Sequence, residues 1–141
     1  MRSLTIAGVL MLALTTGCAT TQNDAMVLTG GLFGPALSSA EMNRAIATAA
    51  AFPLGDEKNP VRVNMPPGQQ AYLARLRCSD GTAPAFRRDG SLGTGVYGNI
   101  LDLYSLSCAT GTPTAAKVHM DMYHGDHVET RPIPGFTIAA Q

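Results

Sequence analysis

Four textures follow one another along this 141-residue chain. Behind the short positive start Met1-Arg2-Ser3, residues 4–14 form an apolar run, LTIAGVLMLAL. Residues 19–37 then mix small and polar side chains with glycines, among them Gly30-Gly31 and Gly34-Pro35. That composition predicts a flexible tether. The third texture has a helical period: Met42, Ala45, Ile46, Ala49 and Phe52 fall on one face. Ser38 and Glu41 give it the Ser-x-x-Glu form of a capping box, and Pro53 and Gly55 stop it. One amphipathic helix over residues 40–51 is predicted.

Beyond residue 55 the pattern changes to short strands. Asn59-Pro60 and Met65-Pro66-Pro67-Gly68 are turn signals on either side of a short strand, Val61-Arg62-Val63. Tyr72, Ala74, Leu76 and Cys78 alternate onto one face, which predicts a strand over residues 71–78. Tyr104, Leu106 and Cys108 do the same within a second run, 100–108. Between the two, residues 84–99 read as a glycine-rich loop with an Asp89-Gly90 turn. Residues 117–123 alternate again, with Val118, Met120 and Met122 opposite His119, Asp121 and Tyr123. A Gly125-Asp126 turn follows, and residues 128–131 are expected to return as a partner strand kept at an edge by Pro132 and Pro134. The expected fold class is α+β: one N-terminal helix and a small, mostly antiparallel sheet.

Composition narrows the function classes. Ten Lys and Arg balance ten Asp and Glu, and charged residues are only 14% of the chain. With no positive field, nucleic acid is not an expected partner. There is no Trp, so the core must rest on aliphatic side chains, Met and a few Tyr and Phe. The apolar run at 4–14 is shorter than the ~20 residues a transmembrane helix needs. A positive start, a run of this length and a small-residue ending together have the form of a secretory signal.

Thr15-Thr16-Gly17-Cys18 sharpens that reading, because it resembles the lipobox of bacterial lipoprotein precursors. Gly17 matches the small residue before the cut; Thr15 departs from the Leu usual at its place. The resemblance covers residues 1–19. It implies a signal peptide at 1–17, lipidation of Cys18, a lipidated N-terminus and tether at 18–37, and one small domain at 38–141. It also implies attachment to the membrane through lipid on Cys18. Ala19, where Asp would favour inner-membrane retention, implies the periplasmic face of the outer membrane. With Cys18 lipidated, Cys78 and Cys108 remain, and an even pair in an exported chain is expected to form a disulfide bracing the sheet. In the body, Asn59-Pro60-Val61-Arg62-Val63, Tyr97-Gly98-Asn99-Ile100-Leu101-Asp102 and Arg131-Pro132-Ile133-Pro134-Gly135-Phe136 resemble stretches of short exported proteobacterial proteins. That resemblance implies no activity.

Candidate chemistry concentrates late in the chain. His119, Asp121, His124 and His127, with Asp126 beside them, are N and O donors of the kind that bind zinc, on a strand and the turn after it. The bland alternative is a solvated hairpin tip, and the helical His-Glu-x-x-His form is absent. Gly93-Thr94-Gly95-Val96-Tyr97-Gly98 has the letters of a dinucleotide fingerprint, but no strand is expected before it and no helix after it. Arg87-Arg88 reads as a solvated turn. Asp102 falls on the Tyr104 face and, if buried, needs a cation such as Arg75 or Arg77. No Gly-x-Ser-x-Gly element is present. The expectation is a lipid-anchored envelope protein that acts by binding or structural support, with an envelope protein as a partner and no cofactor. The alternative is a metal-dependent envelope enzyme using His119, His124 and His127.

Overall fold

The capping box forms as its sequence predicts. In the computed structural model, which describes residues 36–140, the Ser38 hydroxyl accepts from the Glu41 backbone N–H. The Glu41 carboxylate in turn accepts from the Ser38 N–H at 2.9 Å. Two orphan donors are thereby satisfied at the start of helix α1, Ser39–Ala49. The expected leader, Cys18 and almost all of the tether lie outside the described residues.

The next element corrects the sequence reading. Residues 71–78 are not a strand: helix α2, Met65–Arg75, takes up most of that stretch. Pro66 and Pro67 sit in its first turn, where a backbone N–H has no intrahelical acceptor to lose. Its buried stripe is Gln69, Tyr72 and Leu73, continued by Leu76, a helical period hidden from an apolar count because its first member is polar. Only Leu76–Arg77 (β2) is strand, paired antiparallel with Thr137–Ile138 (β6). The fold therefore has two helices among the described residues, not one.

Residues 84–99 bring the second correction. Ala85–Thr94 is a ten-residue strand, β3, and Asp89-Gly90 is an irregularity within it, not a turn. It pairs antiparallel with β4, Ile100–Ser107, in the register Phe86↔Leu106 and Arg88↔Tyr104, shifts after Arg88, and resumes at Gly90↔Leu103. The unmatched Asp89 is a bulge. β4 pairs antiparallel with β5, Ala116–Asp121, which pairs in parallel with β1, Val61–Arg62. The strand order is β1-β5-β4-β3, so β3 is an edge among the described residues. Residues 128–131, expected as a partner strand, belong to no strand.

Partners across a sheet share a face. One face carries Val61, Met120, Val118, Tyr104, Leu106 and Phe86, and it packs with Tyr72, Leu73 and Leu76 in a single core. Ile133 and Phe136 complete that core. A buried polar chain crosses it: Tyr104 donates to Gln69 Oε1 at 3.0 Å, and Gln69 Nε2 donates to Asp102 at 3.0 Å. Asp102 does not meet Arg75 or Arg77. Its partner is Arg88, at 2.6 Å, from the adjacent strand, with Ser91 donating to the same oxygen. Burial acts to raise the Asp102 pKa, but the bonds from Arg88, Gln69 and Ser91 prevail and hold it below the usual carboxylate value. Cys78 and Cys108, each just beyond a strand end, form a disulfide with 6.1 Å between Cα atoms.

Candidate functional site

The opposite face of the sheet builds a different environment at its β1 end. Arg62, Asp121 and Leu101 are neighbours there across three strands. Asn99 donates to both oxygens of the fully buried Asp121, at 3.3 and 3.1 Å. The backbone between β3 and β4 comes close enough that a Cβ on Gly95 would lie 2.5 Å from the Leu101 side chain. This close approach brings the Tyr97 ring under the Arg62 guanidinium, 5.9 Å from the ring centre. His124 meets the same ring edge-on, with centroids 5.3 Å apart.

Residues 127–131, in no helix or strand, form a strap that borders two recesses. One recess, about 360 Å³, lies towards α1 and is lined by Ile46, Ala50, Arg62, Tyr97 and the strap. The other, about 110 Å³, lies towards α2 and is lined by Val63, Gly68, Ala71, Tyr72 and Arg75. His127, Val128 and Glu129 border both. Two side chains of α2 tie the strap down through its carbonyls: Tyr72 donates to Arg131 O at 3.0 Å and Arg75 to Glu129 O at 2.6 Å.

Glu129 is the electrostatic centre of the strap. It is 3% exposed. One oxygen accepts from the Thr130 and Arg131 N–H groups and from Arg131 Nε, and the other from Arg131 Nη2 at 3.0 Å. Burial alone would raise its pKa; the bonds and charge of Arg131 overcome that and bring it down to about 2. His127, 3.5 Å from the same carboxylate, is held below the ordinary imidazole value first by burial and then by the charge of Arg62. The strap thus holds a carboxylate already matched by Arg131 and a histidine favoured in its neutral form, while the buried Asp121 lies on β5 beside Arg62.

The four residues expected as metal ligands do not converge. His119 Nδ1 is 3.0 Å from Gly55 O, beside a separate recess with Leu54, Lys117 and Ile133. Asp121 and His124 are adjacent, with His124 Nε2 3.2 Å from Asp121 Oδ2, while His127 turns to Glu129. Among the described residues no three His, Cys, Asp or Glu side chains are grouped as a metal site. The Gly93–98 motif spans the end of β3 and the turn before β4, with no helix behind it. Arg87 and Arg88 lie within β3, not in a turn. Arg62, Tyr97, Glu129 and Arg131 went unnoticed as a group in the sequence; the Glu-x-Arg spacing before Pro132 was the available signal.

Among the described residues no helix is long and apolar enough to cross a membrane. In comparisons with protein-family models, with curated proteins and with solved structures, the chain matches none.

Proposed function

We propose that this is a lipid-anchored cell-envelope protein, attached through Cys18 and acting by binding or structural support. The observation that carries the reading is the Cys78–Cys108 disulfide. Such bonds persist in oxidising compartments and are rare where thiols are kept reduced. It agrees with the leader of residues 1–17 and with Cys18 in a lipobox-like setting. The recesses beside the strap give the domain a place to hold a partner. By the Ala19 argument, the periplasmic face of the outer membrane is its place.

The test is the intact mass of the mature protein extracted from membranes, with and without reductant. A mass of residues 18–141 plus a triacylated cysteine, gaining two hydrogens on reduction, is expected. An unlipidated mass in the soluble fraction overturns the anchor. Density-gradient separation of the two membranes tests the location, and recovery with the inner membrane overturns that part alone.

A further inference from the structure

The charges that line the recess between α1 and the strap differ in how they are paired. Every oxygen of Glu129 is occupied, chiefly by Arg131, so those two charges answer each other. His127 adds little positive charge near neutral pH, since burial disfavours its charged form. Arg62 is different. Among the described residues no carboxylate lies within ion-pair distance of it. It lines the recess, half-buried, with its guanidinium over the Tyr97 ring.

A partly desolvated guanidinium gains from an anion that presents two oxygens to its planar fork. The remaining walls are mixed: Ile46 and Ala50 from α1, Tyr97 below and Val128 at the rim, 56% exposed, are apolar or aromatic, and Asn59 and Thr130 are polar. A volume of about 360 Å³ is at the lower end for small-molecule sites. At ~30 Å³ per water-sized group it admits roughly a dozen non-hydrogen atoms.

We propose that this recess binds a small organic monocarboxylate, its carboxylate paired with Arg62 and its carbon skeleton against Ile46, Ala50 and Tyr97. One charge suffices because, among the described residues lining the recess, Arg62 is the one Lys or Arg outside an ion pair. A dianion would leave its second charge desolvated near the buried Glu129. The proposal rests on the binding reading of the domain and is independent of the anchor.

The test is a titration of the purified mature protein in detergent micelles, followed by amide chemical shifts. The probes are benzoate, its neutral relative benzamide, and phenyl phosphate. Saturable shifts with benzoate at Arg62, Tyr97 and Val128, and none with benzamide, are expected. Arg62→Gln should weaken benzoate by about tenfold or more, the loss of a charge-assisted bond. Ile46→Glu, which places a competing carboxylate in the recess, should weaken it too. Equal shifts from benzoate and benzamide, or unchanged affinity in Arg62→Gln, would overturn the site. Phenyl phosphate binding tenfold more tightly than benzoate would overturn the single-charge argument. If the chain proves unlipidated the same titration runs without micelles, so failure of the anchor and failure of the site are separate results.

Discussion

Glu129 shows how one residue can set the acid behaviour of a domain. Its carboxylate pKa falls from 4.5 to about 2 on folding, so the folded state favours the charged form. The stabilisation is therefore complete above the unfolded pKa and is lost as pH falls through the folded one. Its size is on the order of 3 kcal/mol. Denaturant unfolding at pH 6, 4 and 2.5 should show the domain weakening across that interval. Glu129→Gln should lower stability at pH 6 by about that amount and flatten the fall below it. A variant as acid-sensitive as the parent would place the effect elsewhere. Asp102 shifts in the same direction, so some acid sensitivity should survive. The Glu-x-Arg spacing is a weak signal in the sequence: a Glu two places before an Arg is ordinary on any surface, and only burial turns the pair into a clamp.

Elements were legible where one physical signal dominated. The capping box announced α1, and strict alternation announced β4 and β5. α2 was missed because Tyr72, Ala74, Leu76 and Cys78 alternate by coincidence while Gln69, the true first member of the helical stripe, is polar. Pro66-Pro67 reads equally as a turn and as a helix's first turn. β3 was missed because most of its residues are exposed, so no apolar alternation marks it. At the connection from β3 to β4, Gly95 carries a structural demand that its neighbours do not. A Cβ there would lie 2.5 to 2.7 Å from three atoms of the buried Leu101. Gly95→Ala should cost roughly 1–3 kcal/mol, as overpacking does, read as a lowered melting temperature. Because the same connection positions Tyr97 under Arg62, the substitution should also disturb amide shifts on both residues. Gly93→Ala makes a poor control: its added Cβ meets nothing, but its φ of +85° favours glycine.

For the whole molecule, the disulfide is a covalent long-range constraint. It links the end of β2, in the small sheet, to the end of β4, near the middle of the large one. Cys78 is 2% and Cys108 7% exposed, so both also contribute to the core. Closing a 30-residue separation stabilises a fold by roughly 3–4 kcal/mol through the unfolded state. A Cys78→Ala, Cys108→Ala double variant should lose about that much by urea denaturation, and reductant should bring the parent towards the variant. An unchanged midpoint in both would remove the bond from the stability account.

The outer strand of the large sheet has a consequence for copies of the protein beside one another. A long, regular strand with an open edge invites another chain to extend the sheet. β3 is long and lies at the edge, but its ladder breaks twice, after Arg88 and again between Ser91 and Thr94. Arg87, Arg88 and Asp89 place charge at the first break, and Asp89 is held there by Arg87 at 2.9 Å and by Lys117. A second copy approaching this edge finds no continuous row of donors and acceptors to copy. The same irregularity that concealed β3 in the sequence makes this edge a poor template for edge-to-edge pairing with a second copy.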